Sequence, residues 1–368
     1  MSLAAVIERS QTDREGWKYT SLAPMAKQAF VPALPAQAPK NLPSIVAVAG
    51  ERHQIVFVNG VWQPEHSRLG ELDGILKGDP KTGYRFTLAG QTCLVTAPVE
   101  LVFVTDAGNT AAEINLRLTI DLGTSGRLTL IEHHVKATGS VPAAAVYETD
   151  IMLGPQAKLV HGKIVDGGEM LSMFAQTRVD IAEGGYYDNF ILTTSGKLVR
   201  NEIDATLAGK LAQCTLNGTM LVRGTNHADT TTHIRHAVPF GNSSQVYKSV
   251  VDGKAHAVFQ GKITVAEHAQ KTDAQQVSRA LLLSDQAEVD AKPELRIFAD
   301  DVKCSHGSTV GALDEDALFY LRARGLNEQA ARGLLIRAFA NDIIDEIQMP
   351  EWRDYCRTKA EEWCDAAE

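Results

Sequence analysis

From Cys93 to Val302 the chain is a succession of short β-branched runs with almost no helical interruption, and this most limits the folds open to it. Runs such as "LRLTIDL", "GRLTLIEHHV", "LVFVT" and "GKITVAEH" are separated by Gly, Asn and Asp. Alternation with period two, bounded by turn residues, predicts strands. Three stretches resemble one another: "TDIMLGPQAKLVHGKIV" from Thr149, "VDIAEGGYYDNFILTT" from Val179 and "IDATLAGKLAQCTLNGTM" from Ile203. Each runs from an Asp through an aliphatic and a glycine turn to another strand, with aspartates at 150, 180 and 204. Self-similarity at that spacing predicts a solenoid whose coils stack one on the next, and a parallel β-helix fits it best. A β-sandwich with coincident turn spacing is the competing architecture. The aromatic content of 6% leans toward the β-helix, whose narrow interior takes Val, Ile, Leu and Ala more readily than rings.

The flanks differ from this core. At 368 residues the chain is longer than one compact core usually grows, so more than one region is expected. Residues 1–92 form an N-terminal region, and five of the 13 prolines fall between Arg14 and Pro43. Proline fixes φ and removes a donor, so this stretch is expected to be an extended linker. The β-helix core is assigned to 93–311. From 312 to 368 the period turns helical and predicts a C-terminal helical bundle. "LDEDALFYLRARG" has acids in its first turn and a glycine stop at Gly325. Asn327 is the expected N-cap of a second helix with the apolar stripe Ala331, Leu334, Leu335, Ala338, Phe339, Ile343 and Ile347. Pro350 opens a third.

A net charge of -9 and a pI near 5.7 oppose nonspecific contact with nucleic acid or anionic lipid. Residues 314–368 carry 13 acids against 7 bases, so most of that charge sits in the helical tail. The first residues lack the basic start and apolar run of a secretory signal, and five scattered cysteines do not form a disulfide framework. The expected compartment is the cytoplasm.

Candidate chemistry concentrates in "DDVKCSHGSTVG", Asp300–Gly311. A hydrolase reading takes Asp300 or Asp301 as the acid of a β-helical carbohydrate hydrolase or lyase, but adjacent strand residues face opposite sides, so the second carboxylate must come from elsewhere. A metal reading takes Cys304 and His306, two residues apart and therefore on one face of a strand. Thiolate with imidazole suits zinc, copper or an iron-sulfur cluster. Two ligands are too few for a closed site, so a second chain would have to complete it. The plain alternative is a buried thiol and a hydrogen-bonded histidine ending the last coil. "NHADTTTHIRH" supplies His227, His233 and His236, but on a strand 233 and 236 face opposite sides, and a structural role is expected. Adjacent His133 and His134 likewise diverge. Cys93, Cys214, Cys356 and Cys364 read as core or helix-face residues. Phosphate-loop, dinucleotide-fingerprint and nucleophile-elbow motifs are absent, which argues against nucleotide hydrolysis by this chain alone.

Read continuously, Val258 to Ile344, with "KCSHGSTVG" at its centre, resembles the C-terminal signature of the SufB/SufD family of iron-sulfur cluster assembly proteins. "GWKYT" at Gly16–Thr20 is similar to the N-terminal motif of the SufD branch. The resemblance is faint from Leu42 to Leu192. It implies a right-handed parallel β-helix between helical termini and a noncatalytic scaffold role in a complex with SufB and the ATPase SufC. The C-terminal helices would dock SufC, and the end of the β-helix would pair with SufB. A transient iron-sulfur cluster shared with SufB would involve His306 and, with it, Cys304. Without SufB, a homodimer through the exposed terminal strand is the expected substitute.

Overall fold

A computed structural model describes residues 1–368 apart from 35, 37, 45–52, 73, 89–94, 96, 137–139 and 367–368. The alternating runs form a parallel β-helix of about seven turns. Ala112–Leu122, Ala143–Leu153, Leu171–Ile181, Leu198–Leu207, His227–His236, His256–Val265 and Glu288–Ile297 stack in parallel as sheet A. Arg127–Lys136, Lys158–Asp166, Tyr186–Ser195, Gln213–Val222, Asn242–Val251, Asp273–Leu282 and Lys303–Gly311 stack as sheet B. The chain crosses between the sheets at every turn, so alternate residues point into the lumen, where Leu159, Tyr187, Ile203, Leu216, Phe259 and Ile263 are buried in one continuous core.

Register explains the repeat and corrects its alignment. Leu198 pairs with His227 and His227 with His256, a coil of 29 residues. Asp150, however, pairs with Arg178, and Arg178 with Asp204, while Asp180 lies two positions further on, against Met152 and Thr206. The column on the outer face thus alternates in sign. Arg178 and Arg117 each donate to Asp150 at 3.0 Å. Burial pushes the Asp150 carboxyl up, but these two arginines outweigh it and hold the group below its ordinary range. One corner of the stack repeats as well: Ser125, Gln156, Gly184, Leu211, Phe240 and Lys271 all take positive φ, although only one is glycine. The N–H of Gln156, Gly184, Phe240 and Lys271 each donates to a carbonyl of the next coil, which holds the strained turn in place.

The stack begins earlier than 93. His53–Val58 pairs in parallel with Val99–Thr105, and Gly83–Leu88 with Ala112–Leu122, so strands from within 1–92 belong to the sheets. Cys93 itself lies outside the described residues. The proline-rich stretch is not wholly extended either: it holds a short helix, Ala23–Ala26, and Val31–Pro32 adds to sheet A.

Both terminal segments cover the β-helix. Helix Leu3–Thr12 with Trp17, Leu22 and Met25 packs on the outer face of sheet A against Ala144, Val146 and Phe174. Helices Glu315–Ala323, Glu328–Ile344 and Pro350–Asp365 form as the caps foretell, with Asn327 accepting from the Ala330 N–H at 2.8 Å. The second and third pack on the outer face of sheet B as well as on each other, against Ile131, Ile164, Leu192, Leu221 and Val250. That double contact widens the buried face of Glu328–Ile344 beyond the expected stripe: Ala331 and Ile343 are buried as expected, Ile336, Ala340 and Ile344 are buried as well, and Leu334 is 43% exposed.

Candidate functional site

Each coil has a neighbour on both sides except at the ends, and Glu288–Ile297 and Lys303–Gly311 close the C-terminal end of sheets A and B. Cys304 stands over Ala274, Ser243, Cys214 and Tyr187, column by column. His306 stands over Gln276, Gln245, Leu216 and Asn189. Both columns are lumen columns, so thiol and imidazole share the inward face, as their spacing requires. Among the described residues no coil covers them, and Cys304 is half-buried and His306 exposed. Burial pushes the Cys304 thiol up, Asp273 adds to this, and a backbone hydrogen bond at Ala274 opposes it. A metal taken by this sulfur must displace its proton.

The lumen beneath is polar. Thr232 Oγ1 donates to Gln245 Oε1 at 2.6 Å, Gln245 Nε2 to Gln276 Oε1 at 3.2 Å, and Gln276 Nε2 to the Gly261 carbonyl at 3.1 Å. Gly261 makes room for this chain, since a Cβ there would lie 2.6 Å from the Gln276 side chain. Deeper, Glu132 gathers His134 at 2.9 Å, His161 at 3.1 Å and Lys163 at 3.2 Å, all buried. Burial would raise the Glu132 carboxyl, but Lys163 and His161 outweigh it and keep it ionised. Buried charges persist only when paired in this way.

The other candidates separate. Asp300 and Asp301 lie in the exposed corner before the last strand, with Asp301 ion-paired to Lys271. His227 and His233 sit on the outer face of sheet A, six residues apart, while His236 is buried and hydrogen-bonded to Ser243 at 2.9 Å. His134 faces Glu132, and His133 lies 3.5 Å from Glu100 and edge-on to Tyr355. Cys214 and Cys356 are buried and Cys364 half-buried.

Sequence reasoning missed the anchor of the N-terminal segment. Arg200, on the outer face of sheet A, is buried among Asp229 and Glu202 and donates to the Gly16 carbonyl at 2.8 Å. Its guanidinium lies 4.0 Å from the centroid of Trp17. Thr20 donates to Asp229 and meets His227 Nε2 at 3.0 Å. "GWKYT" is therefore a docking segment. The signal for it was an arginine in "VRNEID", of whose partners only Glu202 is in that stretch while Asp229 and Gly16 lie elsewhere in the chain.

A parallel β-helix with terminal helices on both outer faces and a thiol-imidazole pair at its open end defines the chain as a β-solenoid protein. Residues 103–339 match the family model described as "SUF system FeS cluster assembly, SufBD core domain". The chain is 31% identical over 358 residues to the iron-sulfur cluster assembly protein SufD of Escherichia coli, covering 91% of this chain and 84% of that one. A SufBD family protein of Synechocystis is 30% identical, covering 91% and 83%. SufD of Bacillus subtilis is 26% identical, covering 82% and 69%. The chain belongs to the SufB/SufD family of iron-sulfur cluster assembly proteins and is SufD-like within it. Among the described residues, no helix is long and apolar enough to cross a membrane.

Proposed function

We propose that this chain is a noncatalytic cytoplasmic scaffold whose open coil end meets a SufB-like subunit, the two together holding a nascent iron-sulfur cluster as cargo. The observation that carries this reading is the pair Cys304 and His306, two donors on one face of a strand with no further coil over it. Clusters and structural zinc take four ligands, so such a pair is half a site and calls for donors from another chain. Exposed Ile297, Phe298 and Val310 near the same end supply apolar surface for the contact. In the absence of that partner, a second copy of this chain would use the same edge. A SufC-like ATPase would dock on the C-terminal helices, where Phe319 is 74% and Leu334 43% exposed.

The test is anaerobic reconstitution with SufB-like and SufC-like subunits. His306→Ala should leave the complex assembled and lower the iron and sulfide recovered on it; an unchanged yield removes His306 from the site. Phe319→Asp with Leu334→Asp should leave the melting temperature near wild type, because both side chains are exposed. It should also weaken ATPase capture, and undiminished capture would count against that docking face.

A further inference from the structure

The outer face of sheet A carries a second group of candidate metal donors, on another sheet and on the opposite side of the coil wall from the lumen-facing pair. His227, His256 and Glu288 occupy one register column in three successive coils. Asp290 is two residues beyond Glu288 on the same strand and so projects from the same face. Its Oδ2 lies 2.8 Å from His256 Nε2. One donor atom each from His256, Glu288 and Asp290 falls within 4.8 Å of the others. Ligands at right angles around a metal, with bonds of about 2.1 Å, stand about 3 Å apart, so small side-chain rotations bring the three to bonding distance.

His227 borders this group, and its hydrogen bonding decides which of its ring nitrogens is free. Thr20 Oγ1 gives its proton to the Asp229 carboxylate, which can only accept, so it receives the Nε2–H of His227. The neutral ring then carries its lone pair on Nδ1. The His227 ring stands edge-on to His256 with centroids 4.6 Å apart. The segment that docks through Trp17 thus fixes the tautomer of this histidine, as outer partners of metal-binding histidines commonly do.

We propose that His256, Glu288 and Asp290, with His227 beside them, bind one divalent first-row transition-metal ion on the outer face of the last coils. Imidazole nitrogen with carboxylate oxygen suits Fe(II), Mn(II), Co(II) or Zn(II), and without a thiolate the site does not favour Cu(I) or a cluster. Sequence inspection alone does not assemble it, because its members come from three strands and only Glu288 and Asp290 are near neighbours in the chain.

The experiment titrates Co(II) anaerobically into the full chain carrying Cys304→Ala and His306→Ala, which removes the donors of the proposed cluster site. One equivalent should bind, with weak visible bands and no sulfur-to-cobalt charge transfer. Introducing His256→Gln or Asp290→Asn, with unchanged melting temperatures as the fold control, should weaken binding roughly 10-fold or more. Equal affinity in both variants overturns the proposal. So does binding that disappears with Cys304 and His306 but survives His256→Gln, a result that would leave the open-end reading standing.

Discussion

Arg200→Ala tests whether the N-terminal segment is held by one buried guanidinium. The Arg200 side chain is 2% exposed and Asp229 fully buried, so the ion pair needs little discount for solvent. Burial opposes the charged guanidinium, yet Asp229 and Glu202 outweigh it and push its pKa up. Removing one member of a buried pair strands the other and costs about 3–5 kcal/mol. Loss of the contact with the Trp17 face adds about 1 kcal/mol. Because Arg200 also holds the Gly16 carbonyl, much of this falls on docking of residues 1–20 rather than on the solenoid. A 3 kcal/mol loss raises the undocked population on the order of 100-fold. Amide hydrogen exchange across helix Leu3–Thr12 and tryptic cleavage at Lys18 read that population directly. Arg200→Met combined with Asp229→Leu should behave closer to wild type than Arg200→Ala, since Asp229 is no longer left stranded and Glu202 keeps its pairing with Arg9. Exchange accelerated by less than about threefold in Arg200→Ala, well under 1 kcal/mol, refutes the clamp.

Stability should fall in mild acid. His134 and His236 are each held down to about 4, mainly by burial, with Glu132 partly opposing it at His134. The unfolded chain protonates histidine near 6.5, so it binds more protons than the folded one between the two values. The contribution is complete above about pH 6.5 and is lost toward pH 4, at about 1.4 kcal/mol per pH unit for each histidine; urea midpoints that stay flat from about pH 7 to 5 would contradict it. Gly162→Ala should loosen the C-terminal helices, because its Cβ would lie 2.7 Å from the Trp352 ring and 2.6 Å from Ile131. Overpacking of this kind costs about 1–3 kcal/mol, and tryptophan fluorescence should shift to the red as Trp352 meets water.

The fold was legible because one face of each strand must fill a lumen, and that demand writes alternation into the sequence. The helix ends were legible for local reasons too: Asn327 and Pro350 act through neighbouring backbone groups. What alternation could not tell is which face is the lumen. Ile131, Ile164 and Leu192 are outward residues of sheet B, yet as apolar as inward Leu130 and Ile191, because helices Glu328–Ile344 and Pro350–Asp365 cover them. Strands buried on both sides lose the contrast between faces. The aspartate spacing misled for a related reason. Asp150 and Asp204 share a column through Arg178, and a residue repeat seeks identity where the ladder needs opposite charge. Cys304 and His306 were placed correctly on one face by spacing, but Arg200 and the His256, Glu288 and Asp290 group depend on contacts between coils that no single stretch contains.

The terminal segments leave the last coil as the least covered part of the solenoid, and its two edges differ. Each edge strand presents backbone donors and acceptors that no neighbour takes up, a template for another strand. On sheet A, Pro293 removes one donor from Glu288–Ile297, and prolines are one means by which edges are kept from pairing. Lys303–Gly311 has no proline and reads "KCSHGSTVG", small and uncharged after its first residue apart from the imidazole. Of the two, only the sheet B edge strand keeps a backbone N–H at every position. A strand added there in register would extend the columns of Cys304 and His306 by one residue each, setting the incoming side chains directly over the thiol and the ring. If such a strand also supplied the donors that the proposed reading calls for, completion of that set and closure of the exposed edge would be one event.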